Sequence, residues 1–127
     1  MVYILKTERL RGTNYQVPKK GSAMLLTNGE TVFVWVDYSS PGVPDGRLAA
    51  MAQLVAHDYS DDDIQLELEI ISDTPSSVFL TQSLDPYKYT DDPVFRPISK
   101  VRSNTNHRIF ELSSDASIAH LRNHFAS

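Results

Sequence analysis

Residues 64–71, IQLELEII, constrain the fold more than any other stretch. Ile64, Leu66, Leu68 and Ile70 alternate with Gln65, Glu67 and Glu69. Successive strand side chains point to opposite faces, so this period of two predicts a half-buried strand. A second stretch, TVFVWVD (31–37), predicts the strongest strand in the chain. Val32, Val34 and Val36 share one of its faces, and Phe33, Trp35 and Asp37 the other. The loop after it, YSSPGVPDG, holds two prolines and two glycines and cannot continue a ladder.

The rest of the chain reads in the same terms. VYILKT (2–7) is a strand, followed by a polar connection through Gly12, Pro18 and Gly21. SAMLL (22–26) is an apolar run open to helix or strand, and TNGE (27–30) is an Asn-Gly tight turn. RLAAMAQLVAHD (47–58) has the alanine content of a helix. Its flanking glycine loop and Asp-rich turn favour a strand in a meander. VFLT (78–81) and HRIFEL (107–112) are read as further strands, with the proline-punctuated 85–97 irregular or briefly helical between them.

SSDASIAHLRNHF closes the chain as a helix, with a serine cap, Asp115 in the first turn, and Ile118, Leu121 and Phe125 on one face. Five to seven strands with short turns, short helices and a docked C-terminal helix make a mixed α/β (α+β) small pseudo-β-barrel. A length of 127 residues fits a single domain, 1–127, with a real core.

Charge is distributed unevenly. Residues 1–20 carry five Lys/Arg against one acid, and residues 93–127 carry five against two. The middle, 21–92, carries two against thirteen. A fold that joins the ends presents a basic face on a chain of net charge −4, and such a face attracts phosphate locally. With no cysteine there is no disulfide framework and no thiol nucleophile, which suits a cytoplasmic location. MVYILKTERLRG lacks the apolar length and cleavage site of a signal peptide, and LAAMAQLVA (48–56) is too short to span a membrane.

Few constellations carry chemistry. His120 and His124 have a metal-compatible spacing of four. No third ligand accompanies them, so they read as the solvent side of the last helix, and no metal or cofactor is expected. Asp61, Asp62 and Asp63 lack the glycine and distal glutamate of a calcium loop. Ser39 and Ser40 have no histidine beside them in sequence, and phosphate-loop signatures are missing. What remains is aromatics beside polar or basic residues: Tyr15 near Asn14 and Arg11, Trp35 and Tyr38 around Asp37, Tyr87 and Tyr89 around Lys88. Such sets can build a base-stacking pocket, although Trp35 taken alone reads as core.

The order of segments resembles the EVE domain of the PUA-like superfamily. YILKTE (3–8) is similar to the opening of that family, and RGTNYQ (11–16) to its first connection. NGE (28–30) leading into VFVWVD, and PGVPDGRLAAMAQLV (41–55), follow in family order. RSNTNHRIFELSSDASIAHLRNHF (102–125) resembles the tail of such modules in modification-dependent endonucleases. Arg9, Val36 and Asp37 depart from the usual residues.

The resemblance implies a non-catalytic pseudobarrel that reads a modified base, such as 5-methyl- or 5-hydroxymethylcytosine, extruded from DNA or RNA. Any nuclease activity would then belong to another domain or a partner. It implies Trp35 as a pocket wall, with Asn14, Tyr15, Tyr38 and Ser39 lining or rimming the pocket. Asp37 is added here as acceptor for a cytosine amino group. Arg11, Lys19, Lys20, Lys100, Arg102 and Arg108 are the candidate phosphate contacts. Two rival readings are a small hydrolase like the related ASCH group, using Lys6, Thr7 and Glu8, and a protein-interaction domain with a vestigial pocket. The hydrolase triad is consecutive on a strand, so its members alternate faces.

Overall fold

Whether a strand is apolar on one face or on both decides where a second layer must lie, and here the two kinds of strand sit in different parts of one sheet. The computed structural model describes every residue except 9, 11, 20–25, 37–45, 88, 103–107 and 126–127, and the side chain of Arg102. The strands are β1 (Val2–Thr7), β2 (Asn14–Pro18), β3 (Thr31–Val36), β4 (Arg47–Tyr59), β5 (Asp63–Ser72) and β6 (Arg108–Leu112). They form one sheet in the order β2-β5-β4-β3-β1-β6. β1 and β3 run parallel, and every other pairing is antiparallel.

β5 behaves as its alternation requires. Ile64, Leu66 and Leu68 are buried while Gln65, Glu67 and Glu69 are exposed. β1 is buried at all six positions and β3 at its last five, so both faces of these strands are covered. Tyr3, Leu5, Val32, Val34 and Val36 point into the concave side with Tyr15, Val17, Leu54 and the apolar row of β5. Val2, Ile4, Phe33 and Trp35 point the other way, against a layer of short helices. That layer comprises a 3-10 helix (Thr81–Tyr87), α1 (Phe95–Ile98), a 3-10 turn (Ser99–Arg102) and α2 (Asp115–Asn123). Leu84, Ile98, Val101 and Leu121 fill it, each fully buried.

The sheet is a curled half-barrel, and the chain is a strand-rich α+β protein. Register shifts at Val34/Trp35, Met51/Ala52 and Leu54/Ala56 put extra residues into the long β4 ladders, and such bulges bend and twist a sheet. The edge strands β2 and β6 approach each other without joining one ladder. Among the described residues no buried side-chain polar atom lacks a partner, and no helix is long and apolar enough to cross a membrane.

Two expectations need correction. The polar connection after β1 contains β2, which buries only Tyr15 and Val17 and so leaves a weak alternating signal. VFLT (78–81) is not a strand. Leu80 makes a single bridge to Arg47, and a 3-10 helix begins at Thr81. The Thr81 amide donates to the Gly46 carbonyl at 2.7 Å and the Leu48 amide to the Phe79 carbonyl at 3.0 Å, the two bonds of that one bridge, and the Thr81 hydroxyl adds a second bond to Gly46 at 2.8 Å. Of the apolar run 22–26, only Leu26 falls within the described residues.

Candidate functional site

Ladder register brings two cationic side chains onto one rung. Lys6, near the carboxyl end of β1, is opposite Arg108 of β6 on one side and Trp35 of β3 on the other. Directly paired residues share a face, and this rung faces the helical layer, as Ile4 and Phe33 do. Lys6 is 6% exposed, and its Nζ donates to the Val101 carbonyl at 2.8 Å. An ammonium leaves water at a large cost unless it is hydrogen-bonded, and the 3-10 turn that carries Val101 supplies one such bond. Arg108 is half-buried, and among the described residues its guanidinium makes no hydrogen bond or ion pair. Lys100, in that 3-10 turn, and Arg47, at the start of β4, are exposed at this same end, where Glu8 adds one acid.

The pairing of β1 with β6 therefore brings one cation from each basic end of the chain, Lys6 and Arg108, onto one rung. Thr7 pairs with Val36 and faces the concave side, opposite to Lys6, so the two do not converge on one reaction centre. Trp35 is fully buried in the layer between sheet and helices. Its Nε1 donates to Thr81 Oγ1 at 2.7 Å, and Phe79 meets it edge-on with centroids 5.4 Å apart.

The other candidates lie apart from this rung. Tyr15 is buried on the concave side, with its hydroxyl donating to the Gly12 carbonyl at 3.3 Å. Asn14 is exposed and helps line a shallow depression of about 200 Å³ that also takes in His57, Asp58 and Glu67. Two carboxylates make that depression unfavourable for phosphate. Lys19, just past β2, has its Nζ 5.7 Å from the Tyr59 ring centroid. Asp37, Tyr38, Ser39, Arg11 and Lys20 lie outside the described residues, and of Arg102 only the backbone is described. The structure thus gathers Trp35, Lys100 and Arg108 around Lys6, and sets Asn14, Tyr15 and Lys19 elsewhere.

The histidine pair departs from expectation. His120 and His124 are half-buried against aromatic rings, not on the solvent side of α2. Phe79 stacks on His124, with centroids 4.9 Å apart and planes 3° from parallel, and meets His120 edge-on at 5.1 Å. Phe95 also meets His120 edge-on at 4.9 Å and stacks on Tyr87. Burial, and secondarily His124, holds the His120 imidazole below its usual pKa. The spacing of four was visible in sequence, whereas the cover from Phe79 and Phe95 is a tertiary fact.

No protein-family model matches the chain, and no curated protein sequence matches it. Fold and site together define a strand-rich α+β half-barrel with a cationic rung at one end.

Proposed function

We propose that this chain is a non-catalytic nucleic-acid-binding domain whose contact surface is the end of the half-barrel around Lys6 and Arg108. The observation that carries this reading is the Arg108–Lys6–Trp35 rung, flanked by Lys100 and Arg47. A half-buried guanidinium with open donors is suited to bidentate phosphate contact, and exposed cations around it extend the attraction. The finer proposal, from the resemblance to EVE domains, is that a modified cytosine is read at this end.

In this reading Trp35 supports the site from beneath. Its indole nitrogen is used by Thr81 and its surface is fully covered, so it does not serve as an open stacking platform. The test is a salt series of oligonucleotide affinities for the native chain and Arg108→Gln. Losing one phosphate contact should lower affinity for all sequences alike and reduce the slope of log K against log salt by about 1. An unchanged slope and affinity in Arg108→Gln, or no binding at low salt, would overturn the assignment.

A further inference from the structure

We infer that His120 and His124 form a binding site for a tetrahedral divalent cation of the zinc class, separate from the cationic rung. The two Nε2 atoms face each other at 3.4 Å. This exceeds the usual length of an N–H hydrogen bond. It equals the separation of two ligands at a tetrahedral centre, since Zn–N bonds of about 2.0–2.1 Å set about 109° apart span about 3.4 Å. Square-planar or octahedral neighbours would need about 2.9 Å from the same bond lengths, so the separation as it stands fits a tetrahedral ion.

The surroundings fix both rings. Ser77 Oγ lies 2.7 Å from His124 Nδ1. With Nε2 on a metal, Nδ1 carries the proton and donates to that hydroxyl, an outer-shell bond of the kind that orients ligating histidines. Phe79 and Phe95 hold the imidazole planes by the stacking and edge contacts described above. The pair sits in the last turn of α2, where the helix dipole favours positive charge. The Ser76 amide and hydroxyl both donate to the His124 carbonyl, at 2.5 and 2.8 Å, joining the segment that carries Ser77 to the end of the helix. Among the described residues no third His, Asp or Glu joins the pair, which leaves two coordination positions for water or an exogenous ligand. A bound cation would clamp the end of α2.

The test uses the full chain without an affinity tag. Co²⁺ should bind at one equivalent with the intense visible absorption of tetrahedral coordination, and Zn²⁺ should displace it. Zn²⁺ should also shift the Nε2 resonances of both His120 and His124, but not those of His57, and raise the melting temperature. His124→Asn should abolish all of these responses, and Ser77→Ala should weaken metal binding about tenfold with the fold intact. The ring resonances of the native chain decide the matter even where a histidine variant folds poorly. Unmoved His120 and His124 resonances in excess Zn²⁺, or a Co²⁺ spectrum surviving in folded His124→Asn, would overturn the site.

Discussion

Replacing Thr81 with valine probes what holds Trp35. Thr81 is 4% exposed, and its hydroxyl accepts from Trp35 Nε1 at 2.7 Å while donating to the Gly46 carbonyl at 2.8 Å. Valine keeps the shape and removes the hydroxyl. The Gly46 carbonyl retains the amide of residue 81 at 2.7 Å, so only the indole N–H is orphaned. A buried donor left without a partner costs about 1–3 kcal/mol. Thr81→Val should therefore lower the unfolding free energy by that amount, read as a lower urea midpoint at unchanged slope. Trp35 is the sole tryptophan, so its fluorescence reports this one site without ambiguity. Trp35→Phe, followed by circular dichroism, removes the donor itself. The double variant should then be more stable than the sum of the single effects by about 1–2 kcal/mol. In the native chain acrylamide should quench the emission poorly. A Thr81→Val stability within about 0.5 kcal/mol of native, together with efficient quenching, would return Trp35 to the surface.

Other outcomes follow from single contacts, each read as a shift in urea midpoint. Gly29 has φ +95° in the Asn28–Gly29 turn, with nothing within 4 Å of an added Cβ, so Gly29→Ala should cost about 1–2 kcal/mol through backbone strain alone. Ser114 caps α2 by accepting from the Ser117 amide, and its hydroxyl donates to the Pro93 carbonyl at 2.8 Å. Ser114→Ala should cost about 1 kcal/mol. Leu54 is fully buried while Val55, beside it at a β4 bulge, is 46% exposed. Leu54→Ala should lose about 2–5 kcal/mol, and Val55→Thr should stay within about 0.5 kcal/mol.

Much of the sheet was legible because its strands carry their own pattern. The alternation of 64–71, the apolar run of 31–36 and the Asn-Gly turn between neighbouring segments all appear where local chemistry puts them. The strand reading of 47–58 over helix is likewise met by β4. β2 was hidden because two buried side chains make no period, and its pairing with β5 depends on a contact far along the chain. Residues 78–81 look like a strand in sequence because their hydrophobicity serves a helix-facing core, where Phe79 contacts Trp35, Phe95 and both histidines. The cationic rung was half visible: sequence placed basic residues at both ends, but the facing of Lys6 and Arg108 is a consequence of register.

Recognition of a modified base at the cationic rung is tested by a fluorescence anisotropy titration. The native chain is titrated with oligonucleotides identical except for cytosine, 5-methylcytosine or 5-hydroxymethylcytosine at one position, single- and double-stranded. Binding should be tighter to a modified strand, with Arg108→Gln weakening modified and unmodified strands by the same factor. Equal affinity for all three bases would contradict the reading of a modified base. Binding untouched by Arg108→Gln would contradict the placement of the site at the end of β1.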